Sequence, residues 1–66
     1  MKRFTPHKGQ RVAFLRDDGT PDPQRHGTVI RCRRRARTVL NLYNMTVCLD
    51  SGGAVETLNA CCIPIE

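Results

Sequence analysis

The stretch that most limits the folds open to this 66-residue chain is 45–58, M-T-V-C-L-D-S-G-G-A-V-E-T-L. Met45, Val47 and Leu49 alternate with small or polar residues, a pattern typical of a half-buried strand. Residues 50–53 then suit a tight turn, because Gly52 and Gly53 adopt positive φ at little steric cost. A return strand follows, so the stretch predicts a β-hairpin within a small all-β domain.

Short strands are also predicted on both sides of this hairpin. The segments expected to be extended are residues 10–16, 27–34, 38–44 and 63–65, with a tight turn at 59–62. Gly19 and the two prolines that follow predict a long loop over 17–26, since Pro23 would disrupt a central strand. The predicted core residues are Val12, Phe14, Ile30, Val47, Leu49, Val55, Leu58 and Ile63.

The length predicts one domain with a small core, because a chain of this size buries only about 60% of its unfolded surface. Pro6 and Gly9 interrupt regular structure, so residues 1–9 are predicted to be a flexible basic arm and residues 10–66 the folded domain. So small a core would gain from burying a strand edge against a second copy, which leaves homo-oligomerisation open.

Positive charge is the strongest functional signal in the sequence. Eleven Lys and Arg residues oppose six acids, for a formal net charge of +5. Such an excess attracts polyanions, either nucleic acid or an acidic protein surface. The charge is densest in R-C-R-R-R-A-R at 31–37, where alternate arginines would form a ladder on one face of a continuing strand. A helix over 31–43 is the alternative, with Cys32, Ala36 and Tyr43 on one stripe.

The predicted binding surface joins this run to basic residues near the first strand. Arginine pairs with phosphate through its planar fork, and a tyrosine ring stacks on a base. The residues assigned to it are Lys8, Arg11, Arg31, Arg33, Arg34, Arg35, Arg37 and Tyr43. The sequence thus indicates a small basic, regulatory binding module associated with RNA or DNA. A merely solvated charged face is the competing interpretation.

Two other functions remain open at this stage. A phage- or plasmid-type accessory protein that binds and inhibits or modulates a host protein would use the same cations on an acidic surface. A structural zinc-binding domain would draw on the four cysteines and His26, although no C-x-x-C spacing occurs. The cysteines are therefore predicted to be small hydrophobic residues rather than ligands, and no metal or cofactor is expected.

Neither enzymatic activity nor membrane association is predicted. His7 and His26 have no nucleophile beside them in the sequence, and no glycine-rich phosphate loop occurs. The first residues lead into no apolar run of the kind found in secretory signals, and no stretch approaches membrane-spanning length. A cytoplasmic protein with reduced thiols is the expectation.

The order of these parts resembles the SH3-like small β-barrel, the superfold shared by KOW, Tudor and Sm-type modules. The resemblance is carried by G-Q-R-V-A-F-L at 9–15, G-T-V-I-R-C at 27–32, T-V-C-L-D-S-G-G-A-V at 46–55 and I-P-I at 63–65. It implies an all-β, five-stranded SH3-like barrel with a long first loop and a single-turn helix before the last strand. A Tudor-type cage gathers several aromatic rings. Because the three aromatics here are scattered, the resemblance is to the superfold and not to one family.

Overall fold

The structure, a computed structural model, describes residues 4–35 and 41–65. Its elements are β1 (Arg11–Leu15), β2 (Pro21–Arg34), β3 (Tyr43–Leu49), β4 (Ala54–Leu58), a 3₁₀ turn (Asn59–Cys61) and β5 (Cys62–Pro64). The strands form one antiparallel sheet in the order β4-β3-β2-β1-β5. The predicted all-β class, the five strands and the single turn of helix before the last strand are confirmed.

The hairpin predicted from residues 45–58 is confirmed as β3 and β4. Its turn is closed by the N–H of Leu49, which donates to the carbonyl of Gly53 over 2.9 Å, and by the N–H of Gly52, which donates to Leu49 over 3.0 Å. Gly52 and Gly53 have φ of 109° and 83°, values that favour glycine. Met45 and Val47 are buried as the alternation requires.

The two edge strands of the sheet, β4 and β5, are joined by only the 3₁₀ turn. In a flat sheet of five strands the edges would lie about 19 Å apart. The chain from Leu58 to Cys62 spans at most about 14 Å. The sheet must therefore curl, and its core lies on the inner side of the curl. Among the described residues β4 and β5 do not pair with each other, so hydrogen bonds do not close the sheet into a barrel.

The core cluster consists of Val12, Phe14, Val29, Met45, Val47 and Cys62. Three of the predicted core residues, Val12, Phe14 and Val47, belong to it. Leu49 and Val55 are half-buried and pack against it. The remaining predicted residues on β4 and β5 are half-buried and lie outside the cluster. Gly27 allows close strand packing, because a Cβ there would lie 2.6 Å from the Cys48 carbonyl oxygen.

The core assignment of Ile30 is wrong. The pairing of β2 with β3 passes from Val29 opposite Val47 to Arg31 opposite Thr46, so Ile30 is an extra residue in a β-bulge. Its side chain is 44% exposed. An inserted residue reverses the alternation of faces along a strand, which is why a period-two pattern misplaces residues beyond it.

The predicted loop over 17–26 is also wrong, because β2 already begins at Pro21, opposite Leu15. The connection is only residues 16–20, and there the Asp18 carboxylate accepts hydrogen bonds from the N–H and hydroxyl of Thr20. Pro23 is tolerated because pairing of β2 with β3 starts at Gly27. In the described ranges no strand partner is assigned to Pro23, so its missing N–H interrupts no ladder.

The helical alternative over 31–43 is wrong for its described residues. β2 continues to Arg34 and β3 begins at Tyr43. The N–H of Arg35 donates to the carbonyl of Leu42 over 3.0 Å, which extends the strand pairing by one step. Residues 36–40 of the predicted segments lie outside the described residues.

Part of the segment predicted as an N-terminal arm contacts the sheet. Phe4 is half-buried and packs against the core cluster, and Pro6 is buried. The N–H of Gly9 donates to the carbonyl of Val29 over 2.7 Å. Residues 4–9 therefore cover one end of the curled sheet.

Candidate functional site

Four exposed arginines gather at the end of β2, and we call them the arginine surface: Arg31, Arg33, Arg34 and Arg35. Arg31 lies opposite Thr46 and Arg33 lies opposite Asn44 in the pairing with β3. Since side chains alternate along a strand, these two arginines project from the same, outer side of the sheet. Arg34 lies opposite Tyr43 at the strand end. Arg31, Arg33 and Arg34 are thus held on a paired strand rather than on a loose loop.

Two shallow depressions lie on this surface. One, of about 210 Å³, is lined by Arg31, Arg33, Asn44, Met45, Thr46 and Glu56. The other, of about 290 Å³, is lined by Arg33, Arg34, Arg35 and Asn44. Both are smaller than the cavities of roughly 300–1,000 Å³ that usually enclose small ligands. The arginine surface is therefore suited to contact along a larger ligand rather than to enclosing a small molecule.

The guanidinium groups of the arginine surface have no acidic partner within residues 4–35 and 41–65: no salt bridge or side-chain hydrogen bond involves them there. Glu56 lines the depression beside Arg31 and forms no ion pair with any residue that the structure describes. The acids near the start of β2 bond to nearby residues instead. The Asp18 carboxylate accepts hydrogen bonds from Thr20, and the Asp22 carboxylate, within β2, accepts one from the N–H of Gln24. Gathered cations of this kind produce a positive potential that attracts anions.

Arg11, which the sequence assigns to the same surface, is engaged elsewhere in the fold. Its guanidinium forms a two-pronged pair with Asp50, with Nη1 donating to Oδ1 over 2.7 Å and Nη2 donating to Oδ2 over 2.6 Å. It also donates to the hydroxyl of Thr28 over 3.0 Å. The hydrogen bonds from Arg11 hold the pKa of Asp50 below its ordinary value. This side chain therefore links β1 and β2 to the turn after β3.

Two other assigned residues, Lys8 and Tyr43, line neither depression. Lys8 is exposed in the turn before β1. Tyr43 is half-buried and packs against the core cluster, so its ring is not an open platform for stacking. Arg37 lies outside the described residues.

The sequence reasoning missed four neighbours of the arginines: Ile30, Asn44, Thr46 and Glu56. Thr46 and Glu56 face each other across the hairpin, so the predicted turn could have placed them on one face. Their position beside Arg31 depends on the pairing of β2 with β3. That pairing includes the bulge, for which the sequence gives no signal.

The four cysteines are free thiols in different surroundings. Cys48 and Cys61 are exposed, Cys32 is half-buried and Cys62 is buried. Burial raises the pKa of Cys62 to about 11, which keeps its thiol neutral at physiological pH. In the described part of the chain, no three His, Cys, Asp or Glu side chains lie close enough together to hold a metal ion.

Comparison of the chain with known protein families, curated proteins and solved structures found no significant match. Across residues 4–35 and 41–65, no helix has the length and apolar character that crossing a bilayer requires. The function is therefore argued from the arginine surface and from the strands that hold it.

Proposed function

We propose that this protein is a small, non-enzymatic regulatory module with an SH3-like fold, acting in the cytoplasm, that binds nucleic acid through the arginine surface. The observation that carries the proposal is the gathering of exposed arginines at the end of β2, with no acidic partner among the described residues. The SH3-like part is supported by five antiparallel strands and by a turn of 3₁₀ helix before the last of them.

The chemistry of arginine favours phosphate as the ligand. A guanidinium presents a planar fork of N–H donors, which matches two oxygens of a phosphate. Arg31 and Arg33 are two residues apart on one strand, so their Cα atoms are separated by about 6.6 Å along it. A regular row of cations suits a polymer that carries one negative charge per nucleotide. The net charge of +5 would also speed the encounter with such a polymer.

The test is a fluorescence anisotropy titration with labelled RNA and DNA at several salt concentrations. If three or four phosphates are neutralised, log K should fall against log[salt] with a slope of about −2 to −4. Replacing Arg33 with Gln should weaken binding and reduce the magnitude of that slope by about 1, because one phosphate contact is lost.

Arg16→Gln is the matched control. It removes the same charge from an exposed residue in the β1–β2 connection, away from the arginine surface. If both variants weaken binding equally, overall charge and not the arginine surface is responsible. If single-stranded, duplex and structured nucleic acids all fail to form a salt-sensitive complex, the proposed function is wrong.

A further inference from the structure

An exposed apolar side chain lies beside the arginine surface. Ile30 is 44% exposed and is the one large hydrophobic residue exposed to this degree in the described ranges. It is the extra residue of the β2 bulge, immediately before Arg31, whose partner on β3 is Thr46. In a bulge of this kind two residues on one strand oppose one on the other. Ile30 and Arg31 therefore lie side by side at the outer face.

Placement, rather than exposure alone, makes Ile30 informative. Single exposed apolar residues are common on protein surfaces and need no explanation. Here, however, a bulge lies where the arginines begin: Ile30 faces outward as the neighbour of buried Val29, and the extra residue leaves Arg31 on the same outer side. Bulges often lie beside functional sites, where they redirect a side chain. A ligand for this surface should therefore offer apolar area next to negative charge.

Single-stranded nucleic acid has this combination, because its unstacked bases are accessible beside the phosphates. A duplex stacks its bases inside and presents mainly sugar and phosphate to an open sheet face. The described aromatic rings are not available for stacking at this surface. Tyr43 packs against the core, and the guanidinium of Arg25 covers the ring of Phe14 at 4.6 Å from its centre.

We propose, building on the nucleic-acid function above, that the arginine surface selects single strands by packing unpaired bases on Ile30 while Arg31 and Arg33 hold the adjacent phosphates. Asn44, Thr46 and Glu56 line the depression beside Arg31 and Arg33 and supply an amide, a hydroxyl and a carboxylate. In the proposed complex these groups would hydrogen-bond to the edges of a base that packs on Ile30, the residue next to Arg31.

The experiment compares three labelled probes by anisotropy at one salt concentration: a 12-nucleotide oligothymidine, an abasic strand with the same number of phosphates, and a 12-base-pair duplex. The wild-type protein should bind oligothymidine more tightly than either other probe. Ile30→Ala should weaken oligothymidine binding by about threefold to tenfold, somewhat less than the loss of an aromatic platform. Binding of the abasic strand should not change, because it has no base to pack.

Two further variants show whether weaker oligothymidine binding comes from the lost apolar area of Ile30 or from a change in folding or elsewhere on the surface. Ile30→Thr keeps a β-branched side chain that is compatible with the strand but reduces its apolar area, so it should also weaken oligothymidine binding. Cys48→Ala changes an exposed residue of β3 that lines neither depression and should bind all three probes like the wild type. Circular dichroism of each variant checks the fold.

The outcomes distinguish this inference from the proposed function. If wild-type protein binds the three probes equally and Ile30→Ala has no effect, while Arg33→Gln still weakens binding, selection of single strands is overturned and nucleic-acid binding remains. If polyglutamate displaces oligothymidine at equal charge concentration, the surface recognises charge alone, and the inference is again overturned. If no probe forms a salt-sensitive complex, both proposals fail.

Discussion

The side-chain amide of Asn59 donates a hydrogen bond of 2.8 Å to the carbonyl oxygen of Phe4, although the two residues are 55 positions apart. The same nitrogen donates to the carbonyl of Asn41 over 2.8 Å, and the side-chain oxygen accepts from the N–H of Tyr43 over 3.0 Å. Asn59 is 1% exposed. One buried amide in the 3₁₀ turn thus holds the start of β3 and the segment before β1.

Replacing Asn59 with Ala should lower the free energy of unfolding by about 2–4 kcal/mol, since three backbone groups lose their partner and a cavity is left. Urea denaturation measures the change. Asn41→Ala is the control, because that side chain makes one exposed hydrogen bond to Thr5 and its loss should cost less than about 0.5 kcal/mol. Equal effects of the two substitutions would contradict the central role of Asn59.

Gly27→Ala should destabilise the sheet by about 1–3 kcal/mol, because the added methyl group would meet β3. The new Cβ would lie 2.6 Å from both the carbonyl oxygen of Cys48 and Cγ1 of Val47. Thermal denaturation followed by circular dichroism measures the loss. Thr28→Ala is a comparison at the next position, where the substitution adds no atoms and removes only the hydrogen bond that the Thr28 hydroxyl accepts from Arg11. A Gly27→Ala protein as stable as the wild type would show that β2 and β3 can separate at no cost.

The Arg11–Asp50 pair should stabilise the fold less as the solution becomes acidic. Hydrogen bonds from Arg11 hold the folded-state pKa of Asp50 below 3.8. The contribution of this carboxylate is therefore complete above pH 3.8 and is lost as the pH falls through the lower, folded-state value. The melting temperatures of wild-type protein and Asp50→Asn should therefore converge only as the pH falls below 3.8. Hydrogen bonds from Thr20 also lower the pKa of Asp18, but Asp18 is present in both proteins. A difference in melting temperature that stays constant with pH would therefore argue against the pair.

Cys62 should react with iodoacetamide far more slowly than Cys48 and Cys61 at pH 8, because the thiolate is the reactive form and burial disfavours it. Its pKa is raised from 9.0 to about 11. The neutral thiol therefore stabilises the fold fully below pH 9.0, and this contribution is lost as the pH rises toward 11. Tandem mass spectrometry assigns the label to each cysteine. Labelling of Cys62 at the rate of Cys48 would show that the core opens readily.

Features of the fold that depend on nearby residues were predictable from the sequence. The hairpin of β3 and β4 follows from alternating side chains and from two glycines in the turn, all within 14 residues. The turn at 59–62 and the closing strand also have local signals, and the strand begins one residue earlier than predicted. For the candidate site, the run of arginines and the place of its first members on a strand that ends at Arg34 were predictable in the same way.

Features set by contacts between distant segments were not predictable. The bulge at Ile30 exists only in relation to β3, so a pattern read along β2 alone assigns that side chain to the core. Pro23 predicted a loop, yet β2 includes this residue because the pairing of β2 with β3 starts only at Gly27. The engagement of Arg11 by Asp50 joins residues 39 positions apart, and no local pattern marks it.

The pairing of β1 with β5 sets an order of events during translation. Val12 lies opposite Pro64, so β1 is synthesised roughly fifty residues before its outer neighbour. Until then the nascent sheet has a bare edge open to other chains, and such edges promote aggregation. If a ribosome stalls after the hairpin, the polypeptide it has made therefore has a first strand whose outer edge is still unpaired.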